Sequence, residues 1–257
     1  MIALILFGAA GRMGAAVERA ALGSDDFRIK ARIERPSSEA HPSATLPGRD
    51  VSEPVGPGDV VVDFSSPEGC AAACRLCTEC GSSLVSGTTG LGPEAEAQLD
   101  QLARRVPVLR ASNFSLGVLA LRRALAAALA TLPLDWDVEI VERHHRRKAD
   151  APSGTALTLA RDVAAARGLG DAALRHGREG RTGERPRDEI GMHAVRGGSF
   201  VGDHEVLLAG EGEWLELRHV AQDRSAFAQG VLAAARFVAH AEPGRYHLED
   251  LVTRGRP

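Results

Sequence analysis

Ile2-Ala-Leu-Ile-Leu-Phe7-Gly8-Ala9-Ala10-Gly11-Arg12-Met13-Gly14 decides the fold of this chain. An unbroken apolar run of this length reads as a strand buried on both faces, and the glycine turn after it leads into a helical pattern, Met13–Leu22. Working outward, Phe27–Ile33 alternates as a second strand, and Val60–Phe64 is another buried one. Pro67 and Glu68 open a helix that Gly81 closes. Ser83–Ser86 is a strand, Pro93–Arg105 a helix and Val106–Arg110 a strand. Such alternation predicts a parallel sheet with helices on both faces, an α/β fold. After Asn113 the pattern changes. Leu116–Leu132 is a long helix, Trp136–Glu142 a strand and Gly154–Arg167 a helix, and a polar loop runs from Arg175 to Arg187. Ile190–Val195, Glu205–Leu208 and Trp214–Val220 follow with short turns between them. They predict a second sheet, antiparallel or mixed, before a last helix at Ala226–Ala239.

The glycine turn carries chemistry as well as shape. Gly8, Gly11 and Gly14 allow a tight turn and a close backbone approach to a pyrophosphate, whose charge then meets a helix N-terminus. Glu34 ends the second strand about twenty residues further on, where an acid can accept hydrogen bonds from ribose hydroxyls. Arg35 beside it can pair with a 2′-phosphate, so NADH or NADPH is the expected cofactor. A structural turn with a surface glutamate and a solvated arginine is the plainer alternative. Gly87-Thr88-Thr89-Gly90 and Ala111-Ser112-Asn113-Phe114 each follow a predicted strand, on the sheet edge where ligands bind in parallel sheets.

The densest polar stretch is Glu142-Arg-His144-His145-Arg-Arg-Lys148-Ala-Asp-Ala-Pro-Ser153-Gly154-Thr155-Ala156. Histidine passes protons near neutral pH, and lysine can do so in a suitable environment, whereas arginine stays charged. Ser153 suits a helix N-cap, which leaves the amides of Gly154 and Thr155 to bind an anion such as a carboxylate. A basic surface loop, its histidines paired with Glu142 or Asp150, is the alternative. Zinc is disfavoured because adjacent strand residues point to opposite faces.

Composition narrows the partners. The chain has 257 residues, 44% hydrophobic and 25% charged, typical of a soluble globular protein. A net charge of −3 with 4% aromatic residues gives no basic surplus or stacking set for nucleic acid. No apolar run is long enough to span a bilayer, and Ile2–Phe7 is too short for a signal core, so a cytoplasmic protein is expected. Positive charge comes almost wholly from arginine, Lys30 and Lys148 being the only lysines. Cys70, Cys74, Cys77 and Cys80 resemble repeated C-x-x-C, yet on one helix they cannot surround a metal. They are read as buried apolar side chains, with no metal site expected.

Together these segments resemble the 4-hydroxy-tetrahydrodipicolinate reductase (dihydrodipicolinate reductase) family over nearly the whole chain. Glu142–Ala156 matches the signature E-x-H-H-x-x-K-x-D-A-P-S-G-T-A at every fixed position. Gly8–Gly14, Asp63-Phe64 with Pro67-Glu68, Gly87–Gly90, Asn113–Ser115, Arg178–Arg185 and Arg224–Phe227 with Gly230 fall in the same order. The cysteine-rich helix and Val231 are departures. The resemblance implies that His144 exchanges a proton and Lys148 donates one, while His145, Ser153, Gly154 and Thr155 hold the carboxylates of a cyclic imine dicarboxylate. Gly8, Ala9, Ala10, Gly11, Arg12, Met13, Glu34, Arg35, Gly87, Thr88, Thr89, Ala111, Ser112, Asn113 and Phe114 would contact the dinucleotide. Hydride would pass from nicotinamide C4 to substrate C4, giving tetrahydrodipicolinate with loss of water in lysine and diaminopimelate biosynthesis. The expected architecture is a Rossmann-type domain at 1–114, an α+β substrate-binding and oligomerisation domain at 115–224 and a returning segment at 225–257, assembled as a homotetramer. Another dehydrogenase with the same cofactor domain and a non-catalytic dinucleotide-binding regulator remain as alternatives.

Overall fold

The computed structural model describes residues 1–34 and 54–253, so Arg35 lies outside the described residues. In chain order the elements are β1 (Ile2–Phe7), α1 (Arg12–Leu22), β2 (Phe27–Ile33), β3 (Val60–Asp63), α2 (Pro67–Cys80), β4 (Ser83–Ser86), α3 (Pro93–Ala103) and β5 (Pro107–Arg110). Then come α4 (Leu116–Thr131), β6 (Asp137–His144), α5 (Gly154–Arg167), β7 (Leu174–His176), β8 (Ile190–Arg196), β9 (Gly202–Gly210) and β10 (Glu213–Ala221). The chain ends through α6 (Ser225–Val238), β11 (Gly244–Tyr246) and α7 (Asp250–Thr253). Two compact units result: Met1–Leu116 with the segment from Arg224 onward, and Gly117–Asp223.

The first unit is a six-stranded sheet in the order β11-β5-β4-β3-β1-β2. Every pairing in it is parallel. Phe7 lies level with Asp63, Asp63 with Ser86 and Ser86 with Arg110, so four strands finish on one edge. The residues that follow each strand therefore share that edge. In α2 the Ser66 hydroxyl accepts the Gly69 amide, Pro67 occupies the first turn and Gly81 closes the helix at φ +69°. Cys70, Cys74 and Cys77 face inward against Val61, Leu84 and Leu99, while Cys80 is half-buried. Burial pushes the Cys77 thiol up to about 12, so it packs as a neutral apolar group. Strand β11, which the sequence reading leaves out, is too short to show a period and pairs only with β5.

The second unit carries a mixed five-stranded sheet, β10-β9-β6-β8-β7. The pairs β10–β9 and β9–β6 are antiparallel, whereas β6–β8 and β8–β7 are parallel. Strand β7 falls at the start of the stretch read as loop, where Leu174–His176 has no alternation to reveal it. Val138, Ile140, Val206 and Leu208 pack against Leu121 and Leu125 of α4 and Leu159 and Val163 of α5. Each such side chain contributes roughly 1.5–3 kcal/mol by leaving water. Strand β6 runs two residues past the predicted end at Glu142, because β8 and β9 both pair with it as far as Arg143. Its buried face therefore reads Val138, Ile140, Glu142, His144, turning from apolar to ionisable at the strand end.

Candidate active site

In the first unit, the turn after β1 is shaped by what a side chain would strike. Gly8 sits at φ +75°, and a Cβ there would lie 2.5 Å from the Phe64 carbonyl oxygen. A Cβ on Gly14 would lie 2.2 Å from the Gly8 carbonyl oxygen, so only glycine lets α1 begin this close to the loop. Gly11 precedes the helix without a side-chain cap and donates its amide to the Gly8 carbonyl at 3.0 Å. Ala9 is buried, Met13 is half-buried, and Ala10, Gly11 and Arg12 are exposed. Bare backbone ahead of an uncapped helix start favours an anion. The Glu34 carboxylate reaches the same loop and accepts the Ala10 amide.

The neighbouring loops are held by one buried acid. Asp63 accepts hydrogen bonds from Ser86 Oγ at 2.9 Å, Thr88 Oγ1 at 2.8 Å and the Ser65 amide at 3.2 Å. The Ser65 hydroxyl also donates to it. A Cβ on Gly87 would run into the Phe64 ring, which in turn meets Phe114 edge-on with centroids 5.5 Å apart. Thr89 and Ser112 are exposed, Ala111 and Asn113 half-buried, and the Ala111 amide donates to the Ser86 carbonyl at 3.2 Å. Glycine backbone, an exposed helix start and an acid beside the loop fit a dinucleotide.

In the second unit, Glu142 and His144 project from one face of β6, as residues two apart on a strand must. Glu142 Oε2 lies 2.6 Å from His144 Nδ1, and the Arg196 guanidinium donates to both carboxylate oxygens at 2.7 Å. The Ser153 amide donates to Oε1 at 2.9 Å. Strand pairing supplies these partners, since β8 sets Arg196 level with His144 and β9 sets His204 level with Glu142. The His204 ring meets His144 edge-on at 5.1 Å, and its Nε2 lies 3.0 Å from Ser153 Oγ. Burial alone would raise the Glu142 pKa, yet Arg196, His144 and the Ser153 amide hold it below the usual carboxylate range. Burial pushes His144 below its ordinary value, against the upward pull of Glu142. It pushes His204 down to about 4, which keeps that ring neutral.

His145 begins the loop beyond β6, with its amide donating to the Phe200 carbonyl at 2.9 Å and its Nδ1 buried without a partner. Lys148 Nζ donates to both oxygens of Asp150 at 2.8 and 2.9 Å and holds that carboxyl below its usual range. Arg196 tethers the same loop through the Asp150 carbonyl at 2.7 Å. Ser153 is buried and caps α5, its Oγ accepting the Ala156 amide at 3.2 Å. Gly154 is exposed, with open space where a Cβ would stand, and Thr155 is half-buried.

Among the described residues, the predicted cofactor loops, Arg35 aside, lie in the first unit and the His144–Thr155 segment in the second. Asp63, Glu142, Arg196 and His204 were not predicted as site residues. The E-x-H spacing at Glu142 already places it on the His144 face, and Asp63 is an acid ending an apolar strand. Arg196 and His204 carry no local signal, because only strand register brings them in.

Both halves of the chain match known proteins. The family described as "Dihydrodipicolinate reductase, N-terminus" matches residues 2–114, and "Dihydrodipicolinate reductase, C-terminus" matches residues 117–252. The 4-hydroxy-tetrahydrodipicolinate reductase of Thermomicrobium roseum is 46% identical, covering 98% of this chain and 100% of its own. That of Alkalilimnicola ehrlichii is 43% identical, covering 97% and 98%. Among solved structures, a dipicolinate-bound dihydrodipicolinate reductase from Paenisporosarcina sp. TG-14 superposes with a TM-score of 0.74 at 26% identity, covering 98% of this chain and 99% of the other. Near-complete matches in both halves, on a fold with these loops, make this chain a member of the dihydrodipicolinate reductase family.

Proposed function

We propose that this chain reduces 4-hydroxy-tetrahydrodipicolinate to tetrahydrodipicolinate with NADH or NADPH, in lysine and diaminopimelate biosynthesis. Family membership supports the reaction. The observation that carries the residue assignment is the His144 ring, held at Nδ1 by Glu142, with Nε2 bonded to no described residue. His144 Nε2 is the atom that exchanges a proton with substrate, and Lys148 is the second donor. The start of α5 at Ser153, Gly154 and Thr155, with His145, holds the substrate carboxylates, because a helix N-terminus favours an anion. In the first unit, Gly8–Met13 and Glu34 hold the pyrophosphate and ribose. Gly87–Thr89 and Ala111–Phe114 line the same sheet edge for the nicotinamide half. When bound, the reduced nicotinamide supplies the hydride.

Among the described residues no helix is long and apolar enough to cross a membrane. Placement in the cytoplasm and assembly as a homotetramer through the second unit's sheet belong to the same proposal. Strand β10 supports the assembly, since it leaves Trp214 68% and Val220 50% exposed.

An assay following nicotinamide absorbance tests the function. The cyclic imine should be turned over, and homoserine and aspartate should not. Dipicolinate, a dicarboxylate, should compete with the imine if the start of α5 holds the substrate carboxylates. No turnover of the imine, or dipicolinate competing only with the nicotinamide cofactor, sinks the reading.

A further inference from the structure

We infer that Glu142 is a positioning residue for the reaction: its carboxylate holds the His144 ring with a proton on Nδ1 and ties that ring to the start of α5, so that only Nε2 exchanges a proton with substrate. This rests on the reading that His144 is the proton-exchanging group.

The geometry leaves the carboxylate one role. Oε2 accepts from Arg196 and faces His144 Nδ1, and Oε1 accepts from Arg196 and the Ser153 amide. A carboxylate so surrounded accepts on every side and has no proton to give. His144 Nδ1 must therefore carry hydrogen whether the ring is neutral or cationic. The charged and titratable groups around the ring agree with this. Arg196 from β8 and Lys148 from the loop are cations, neither of which can accept from the ring. His204 on β9 is occupied at Nε2 by Ser153 Oγ. The proton balance is simple. The imidazolium gives its Nε2 proton to the substrate, and the ring is left neutral with hydrogen on Nδ1. Glu142 keeps its charge throughout and stabilises the cationic form, as the buried aspartate of a serine-protease triad does for its histidine.

The same carboxylate reaches the second feature of the site. By accepting the Ser153 amide it fixes the capping residue of α5 relative to the His144 ring. One side chain thus sets both the ring that moves the proton and the helix end proposed to hold the carboxylates.

The test is Glu142→Gln in the full chain, read by nitrogen NMR of labelled histidine, with His144→Gln used to assign the ring. An amide nitrogen in place of Oε2 donates to Nδ1 and so moves the neutral ring's hydrogen to Nε2. The wild-type neutral ring should show hydrogen on Nδ1, and the variant should show it on Nε2. Turnover should fall roughly 10²–10⁴-fold, the range seen when a general acid or its orienting group is lost. The pH–rate limb belonging to His144 should move with it, which lost stability alone would not cause. If the variant does not fold, the wild-type tautomer decides: hydrogen on Nε2 in the native protein overturns the proposal. Wild-type turnover in Glu142→Gln while His144→Gln is inactive overturns it as well. Wild-type turnover in His144→Gln instead removes the reading on which it rests.

Discussion

Lys148 and Asp150 are two residues apart, yet their side chains meet through both carboxylate oxygens at 2.8 and 2.9 Å. The loop thereby presents an ammonium with a partner that substrate could replace. Lys148 can act by charge or by giving a proton, and two substitutions separate these. Lys148→Ala removes both. Lys148→Arg keeps the charge and the pairing with Asp150 but releases no proton at working pH. We expect both variants to lose roughly 10²–10⁴ in turnover, the usual scale of general acid catalysis. Steady-state kinetics and a pH–rate profile check this. An arginine variant with near-normal kcat and an unchanged alkaline limb would leave charge as the whole contribution.

Strand β6 has a second ionic centre, on the face opposite His144. Glu139 accepts from Arg178 and Arg185 and lies 2.6 Å from His193 Nε2, so both ends of the 178–185 stretch are clipped to the sheet. Gly191 on β8 makes room, since a Cβ there would come within 1.8 Å of Glu139 Oε2. Burial alone would raise the Glu139 pKa, but Arg178, His193 and Arg185 hold it at about 2, against 4.5 for a free carboxyl. The sign follows from linkage. A depressed native pKa means that the unfolded chain takes up the proton first as pH falls. Glu139 therefore stabilises fully above about 4.5 and loses that contribution down to about 2. Glu139→Gln should be less stable than wild type at neutral pH, with the gap closing across that window in urea titrations. Proteolysis within 178–185 should also speed up, because the clip is what holds the stretch. A variant as stable as wild type at pH 7 would show that the clip contributes nothing net.

For the whole molecule, the first unit depends on chain that returns from far along the sequence. Helix α6 buries Ala228, Val231, Leu232, Ala234, Ala235 and Val238 in that unit. Gly230 lies so close to Phe114 that a Cβ would stand 1.7 Å from its carbonyl oxygen. Phe114 in turn packs on Phe64, against which Gly87 is set. Gly230→Ala should therefore cost about 1–3 kcal/mol, the usual penalty of overpacking. It should also weaken dinucleotide binding by moving Phe114. Thermal unfolding and cofactor titration measure the two effects. Unchanged cofactor affinity in a destabilised variant would separate the packing from the binding site.

The sequence by itself determined the local elements and the chemical inventory. An unbroken apolar run marked β1 and a hydrophobic period marked β2 and α5, because burial on both faces leaves a continuous run and burial on one face leaves a repeat. The glycine turn and the E-x-H-H…S-G-T-A segment were legible because a close backbone approach demands glycine and a helix start demands a cap. The short strands β7 and β11 were not legible, since three residues cannot show a period and their stability comes from a neighbour. Tertiary structure alone decided the register that sets Arg196 beside His144 and His204 beside Glu142. It also decided that Asp63 binds together loops following two different strands. Pairing between distant strands follows from how whole faces bury one another, and no window of sequence contains both partners.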